Sequence, residues 1–135
     1  MDVFVYGTLT EPETVGTVVD SFAFLGPAVL SGLHPVDGQY PSLAPGGQTG
    51  GRLLRTDEVA ALDAYEGVDD GLYVRVSVPV TGAGDAAADE AAVYVGDHER
   101  LGVVEAVTWP GEGPLRERVE RYLRENPVRV ELRRE

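Results

Sequence analysis

The 135-residue chain contains no cysteine and no lysine. Without cysteine, the chain has no disulfide bridge, no thiolate metal site and no cysteine nucleophile. No apolar run approaches the roughly 20 residues that cross a bilayer as a helix. The N-terminal sequence MDVF carries an acid where a secretory signal carries positive charge. We therefore expect a cytoplasmic protein that does not enter a membrane.

The charge of the chain is strongly one-sided. All 11 basic residues are arginine, and 23 acidic residues bring the formal net charge to −12. Because such a chain repels polyanions, we predict that it does not bind nucleic acid. Two interpretations of the acidity stay open: a solvated surface adapted to a high-salt cytoplasm, or a docking surface for a basic partner. The spread of acids along the whole chain favours the first.

Hydrophobic residues make up 43% of the chain, which is enough for one core, and we predict a single domain over residues 1–135. Alternating or continuous apolar runs predict strands, while apolar residues at helical spacing predict helices. The strands are expected at 2–6, 22–33, 51–55, 72–80, 91–95 and 128–132, and the helices after Thr10, at 56–67 and at 114–125.

Two connections complete this prediction. Residues 34–51 are rich in glycine and proline and are predicted to form a loop. The acidic segment 81–90 is predicted to connect two strands of a hairpin. Because strands and helices alternate without a βαβ rhythm, we expect an α+β fold whose mixed, largely antiparallel sheet is flanked by a few helices.

The helix predicted at 56–67 has the sequence TDEVAALDAYEG, which contains signals for both of its ends. Thr56 or Asp57 is expected to cap the first turn, and Gly67 suits the left-handed residue that ends a helix. At about 100° per residue, Val59, Leu62 and Tyr65 form one apolar stripe, which we expect to face the core.

Glu66 lies within this apolar stripe, between Val59 and Leu62 in the helical projection. A carboxylate on the core side of a helix is costly to ionise unless it has a partner or a task. Glu66 is therefore a candidate general base. The structural alternative is that it bonds to backbone amides or pairs with Arg75.

A second motif, Phe-Val-Tyr-Gly-Thr-Leu at residues 4–9, places a glycine and a hydroxyl directly after a predicted strand. Such a turn can aim backbone N–H groups at an anion or a carbonyl oxygen. It lacks the further glycines of a dinucleotide fingerprint and the Gly-Lys-Ser/Thr of a P-loop, so we reject nucleotide binding. His34 and His98 have no partner at metal-ligand spacing, and we predict no metal site.

The pair VYGTL and LDAYEGVDDGLYVR resembles the γ-glutamylcyclotransferase family, including its AIG2-like and γ-glutamylamine cyclotransferase branches. GQYP at residues 38–41 resembles the family's Gly-x-Tyr-Pro element, and AVYV at residues 92–95 resembles its late strand. The resemblance covers residues 3 to about 96. It places the motifs in residues 1–96 and leaves a C-terminal helix and tail in 97–135.

This resemblance implies a small barrel-like mixed sheet with a cavity at its mouth. It also implies an enzyme that needs no cofactor or metal and releases 5-oxoproline from a γ-glutamyl amide, with Glu66 as general base and then acid. The substrate-binding residues that it implies are Tyr6, Gly7, Thr8, Leu9, Tyr40, Pro41, Tyr73 and Tyr94.

Two questions stay open at this point. The leaving group belongs to a γ-glutamyl amino acid, a γ-glutamylamine or an isopeptide-linked γ-glutamyl-lysine. The alternative to an enzyme is a non-catalytic protein of the same fold that binds a small ligand or a partner.

Overall fold

The structure is a computed structural model that describes residues 1–36, 42–82, 88–101 and 109–133. Within these ranges the chain forms six strands, three α-helices and one short 3₁₀ helix. The strands are β1 (Asp2–Val5), β2 (Ala23–Val36), β3 (Ser42–Arg55), β4 (Tyr73–Thr81), β5 (Glu90–Gly96) and β6 (Arg129–Leu132). The helices are α1 (Pro12–Val18), α2 (Val59–Glu66) and α3 (Leu115–Glu125), and Gly7–Thr10 forms the 3₁₀ helix. No helix among the described residues is long and apolar enough to cross a membrane.

The six strands close into a barrel in the order β1-β3-β2-β6-β4-β5. Four of the neighbouring pairs are antiparallel, namely β1 with β3, β2 with β3, β2 with β6 and β4 with β5. The pairs β1 with β5 and β4 with β6 are parallel. The predicted fold class, a mixed and largely antiparallel barrel-like sheet flanked by helices, is confirmed.

The strand directions bring the sequence motifs to one mouth of the barrel. Since β1 and β5 are parallel, their C-terminal ends lie at the same mouth. Since β4 runs antiparallel to β5, it begins at that mouth, where Tyr73 lies opposite Gly96. Tyr6 follows β1 directly, and Tyr94 lies near the end of β5.

The loop predicted at residues 34–51 is wrong in its described parts. β2 and β3 pair over their whole length, from Ala23 opposite Arg55 to Val36 opposite Ser42. Register shifts between Phe24 and Gly26 and between Ser31 and Leu33 mark irregularities at which glycine is tolerated within a sheet. Composition suggested a break in the sheet, whereas the mutual pairing of β2 and β3 keeps the described parts of this segment extended.

Helix α2 is slightly shorter than predicted. Its N-cap is Glu58 rather than Thr56 or Asp57, although the Thr56 hydroxyl accepts the Glu58 N–H at 3.1 Å. Gly67 ends the helix in the left-handed conformation with φ 68°, which confirms the predicted stop. Leu62 is fully buried and anchors the helix in an apolar cluster with residues of β1 and β5.

A second apolar cluster contains Phe4, Leu30, Leu53 and Val93. Helix α3 joins this cluster through Val119, as its predicted apolar face requires. Trp109 is buried in the same cluster, and its ring lies edge to face with the Tyr122 ring, with 5.5 Å between the ring centroids. Helices α2 and α3 thus pack on different clusters, and α2 is the one beside the mouth at which the motifs meet.

Candidate active site

A cavity of about 340 Å³ opens at the mouth of the barrel where β1 and β5 end. Its walls come from the end of β1, the 3₁₀ helix, the end of α2, the start of β4 and the end of β5. Among the described residues that line it, one is charged. The lining residues are Phe4, Val5, Tyr6, Thr8, Leu9, Tyr65, Glu66, Leu72, Tyr73 and Tyr94.

The charged residue is Glu66, the last residue of α2. Its side chain is partly buried among the aromatic and aliphatic walls. Burial raises the pKa of Glu66 from 4.5 to about 7, because desolvation disfavours the carboxylate. The predicted alternative of an ion pair with Arg75 is not what the structure has, since Arg75 Nη1 lies 3.2 Å from Asp63 Oδ2. Glu66 can therefore both accept and release a proton near neutral pH.

Two tyrosine hydroxyl groups are fixed beside Glu66. Tyr6 donates to the backbone oxygen of Tyr94 at 2.5 Å, and Tyr94 donates to Asp63 Oδ1 at 2.7 Å. Burial, followed by the proximity of Tyr73 and Glu66, raises the pKa of Tyr6 well above its usual value. Burial and the hydrogen bond to Asp63 likewise raise the pKa of Tyr94. Both residues therefore remain neutral phenols at physiological pH.

The 3₁₀ helix forms the wall that follows β1. Gly7 begins it with φ 69°, a conformation that strongly favours glycine. The Thr10 hydroxyl donates to the Gly7 carbonyl oxygen at 2.7 Å and closes the turn. Because the first N–H groups of such a helix have no acceptor within it, the backbone of Gly7, Thr8 and Leu9 offers donors at the mouth of the barrel.

One residue of the cavity was assigned wrongly from the sequence. Tyr65 was expected in the core stripe of α2, but 48% of its surface is exposed. Its hydroxyl lies 3.4 Å from the Thr8 hydroxyl at the rim of the cavity. In a helix of eight residues, helical spacing shows which residues share a face but not which of them are buried. Tyr65 shares the apolar face with Leu62 and yet lies at the surface.

Most of the predicted site residues lie together in the structure. The cavity is lined by Tyr6, Thr8, Leu9, Glu66, Tyr73 and Tyr94, and Gly7 lies in the turn between two of them. Tyr40 and Pro41 fall outside the described residues. Sequence reasoning missed Asp63, which contacts Tyr94, although its position three residues before Glu66 places both on one helix face.

The fold and cavity define a class: a small closed barrel with a ligand-sized pocket that contains one partly buried acid. A family model described as Gamma-glutamyl cyclotransferase, AIG2-like matches residues 3–111, and the chain belongs to this family. The matched region continues beyond residue 96, where the motifs recognised in the sequence end.

Two curated relatives come from Arabidopsis thaliana. AIG2-like protein C is 38% identical over 87 residues, which cover 58% of this chain and 49% of the relative. Protein AIG2 C is 31% identical over 84 residues, which cover 58% of this chain and 51% of the relative. The chain thus spans about half the length of the curated relatives that it matches.

Solved structures of similar fold include a gamma-glutamyl cyclotransferase, with a TM-score of 0.59 and 16% identity over 93% of this chain and 99% of that one. An uncharacterized protein from Homo sapiens has a TM-score of 0.61 and 16% identity, over 90% of this chain and 96% of that one. At these identities the similarity concerns the fold.

Proposed function

We propose that the chain is a γ-glutamylcyclotransferase that releases 5-oxoproline from a γ-glutamyl amide. In this reaction the substrate's own α-amine attacks its γ-carbonyl carbon and forms the C–N bond of a five-membered ring. The amide C–N bond then breaks, and the leaving amine takes up the proton that the attacking amine gives up. Atoms and electrons balance within the substrate, so the reaction needs a proton carrier and no redox partner.

The observation that carries this proposal is the position of Glu66 in the cavity. Near neutral pH the α-amine is an ammonium ion, which must lose a proton before it can attack. A carboxylate with a pKa of about 7 is suited to take that proton and to release it to water. It can then take the second proton, which the nitrogen loses as the ring closes, and return it to the leaving amine. General-base catalysis of this kind contributes about 10²–10⁴-fold to the rate.

The other lining residues are proposed to bind the γ-glutamyl group. Tyr6, Tyr73 and Tyr94 offer aromatic walls for its aliphatic chain, and the volume of about 340 Å³ lies within the usual range for small-ligand pockets. The N–H groups of Gly7, Thr8 and Leu9 are candidates to hold either the substrate carboxylate or the oxyanion. Tyr40 and Pro41 remain proposed pocket residues on the resemblance alone.

A substrate panel tests this proposal. The panel contains a γ-glutamyl amino acid, a γ-glutamylamine and γ-glutamyl-lysine, each assayed for 5-oxoproline with the wild type, Glu66→Gln and Asp69→Asn. Asp69 is an exposed acid in the turn after α2 and serves as the matched control. We expect wild type and Asp69→Asn to turn over at least one substrate. If the folded wild type releases no 5-oxoproline from any of them, the proposal fails and the non-catalytic alternative stands.

A further inference from the structure

Two side chains outside the predicted site, Asp63 and Arg75, form a network with Tyr94, which lines the cavity. The Tyr94 hydroxyl donates to Asp63 Oδ1 at 2.7 Å, and Arg75 Nη1 lies 3.2 Å from Asp63 Oδ2. Both oxygens of one carboxylate are therefore engaged, one by a residue of β5 and the other by a residue of β4. Nothing in the proposed reaction uses Asp63 or Arg75 directly.

The positions of these three residues relate their network to Glu66. Arg75 and Tyr94 are directly opposite each other across the β4–β5 pair. Asp63 lies three residues before Glu66 on α2, so both carboxylates project from neighbouring positions on one helix face. Asp63 thus connects α2 to two adjacent strands of the barrel. This connection lies about one helical turn before Glu66, the α2 residue that lines the cavity.

The network also determines whether the Tyr94 hydroxyl can donate a hydrogen bond to a ligand or accept one from it. A phenol has one hydrogen to donate, and Tyr94 donates it to Asp63. Tyr6 likewise donates its hydrogen, to the Tyr94 backbone oxygen. Both hydroxyl oxygens, which belong to residues that line the cavity, therefore have acceptor lone pairs left and no free hydrogen. Together with Glu66, they suit the ammonium group of a substrate rather than an oxyanion.

We propose that Asp63 is a positioning residue: it holds α2, and with it Glu66, against β4 and β5, and it makes Tyr94 a hydrogen-bond acceptor toward the substrate's α-ammonium. This inference rests on the proposed function and assigns a further residue to the same site. Arg75 acts one step further away by fixing the second oxygen of Asp63.

The alternative explanation is that Asp63 and Arg75 form an ion pair with a purely structural role. The ion pair of Asp2 and Arg55 serves as a comparison within the same protein. Asp2 is 1% exposed and accepts from Arg55 and from the Ala88 N–H. It lies at the start of β1, at the opposite end of that strand from Tyr6. The Asp63 and Arg75 side chains are 27% and 33% exposed, and exposed pairs of this kind contribute little to stability.

The test compares Asp63→Asn, Tyr94→Phe, the double variant and Asp2→Asn, using the panel substrate that the wild type turns over best. We expect Asp63→Asn to retain its fold and to lose about 10- to 100-fold in kcat, the range that a misplaced catalytic group produces. Its KM should rise by a few-fold, because Tyr94 is no longer held as an acceptor for the α-ammonium. The double variant should lose no more than the worse single variant, because both changes break one connection. Asp2→Asn should lower the melting temperature and keep kcat while it is folded.

Wild-type kcat in Asp63→Asn, or losses that multiply in the double variant, would overturn the inference. If Asp63→Asn does not fold, Arg75→Gln replaces it, with an expected loss of about three- to tenfold in kcat and the same non-additivity with Tyr94→Phe. A wild type that is inactive on the whole panel overturns the proposed function and this inference with it. An active wild type with an unchanged Asp63→Asn overturns this inference alone.

Discussion

At the scale of single residues, the chemistry of the site depends on how burial affects Glu66. Its pKa of about 7 comes from desolvation, which makes the carboxylate costly in the folded chain. The helical spacing of α2 predicted an acid among apolar positions, and the cavity confirms that environment. The same spacing placed Tyr65 wrongly in the core, because the orientation of a short helix depends on its neighbours.

The raised pKa of Glu66 predicts a pH-dependent penalty on stability. Glu66 ionises near pH 4.5 in the unfolded chain and near pH 7 in the folded chain. The stability associated with its protonated form is therefore complete below pH 4.5 and is lost as the pH rises toward 7. Glu66→Gln has no charge to desolvate. We expect it to exceed the wild type in free energy of unfolding by on the order of 1–3 kcal/mol above pH 7, and by much less at pH 4.

Urea denaturation of both proteins at pH 4, 6 and 8 measures this difference. Asp69→Asn, which removes an exposed charge, is the control and should show no such rise. A difference between Glu66→Gln and wild type that stays flat from pH 4 to pH 8 would contradict the raised pKa.

At the scale of elements, the contacts between strands decide what local sequence cannot. The glycines of β3 suggested a loop, yet one of them, Gly51, lies next to Arg52, which pairs with Val5 at the end of β1. A Cβ atom there would collide with the Val5 carbonyl oxygen and come within 2.8 Å of the Phe4 ring. A Cβ atom added to the neighbouring residue, Gly50, would have no such neighbour within 4 Å. The sequence placed Gly51 at the start of the predicted strand 51–55, but local propensity did not show that this glycine permits close packing just before the Tyr6–Gly7 turn.

These adjacent glycines give a matched pair of variants. Gly51→Ala should lower the free energy of unfolding by about 2–3 kcal/mol, since the backbone of Val5 must move, whereas Gly50→Ala should change it by less than about 0.5 kcal/mol. Gly51→Ala should also weaken 5-oxoproline binding, because Val5 lines the cavity. Denaturation and titration calorimetry measure both effects. Equal stability of the two variants would contradict the close approach of β3 to β1.

At the scale of the whole molecule, barrel closure assembles the site from distant parts of the chain. Tyr6 and Tyr94 are 88 residues apart in sequence and share a hydrogen bond. The motifs indicated which residues belong together, and the resemblance indicated a barrel. The strand order and the parallel pairing of β1 with β5 could not be predicted, because they depend on pairing between segments far apart in sequence. The single domain over 1–135 stays a prediction.

The net charge of −12 leads to a prediction for the whole chain. If the acidic surface is adapted to high salt, screening should stabilise the fold, since the Debye length falls from about 10 Å at 0.1 M salt to about 3 Å at 1 M. We expect the melting temperature to rise by roughly 5–10 °C between 0.05 M and 2 M KCl. A melting temperature that is constant within about 1 °C would favour the alternative, a docking surface for a basic partner.

The central claim is that the Glu66 carboxylate carries the proton in the release of 5-oxoproline. The most direct test is the single-turnover rate of 5-oxoproline formation by wild type and Glu66→Gln, both saturated with the best panel substrate at pH 8. We predict a rate about 10²–10⁴-fold lower in Glu66→Gln, with 5-oxoproline binding within a few-fold of wild type. A Glu66→Gln rate within a few-fold of wild type would contradict the claim.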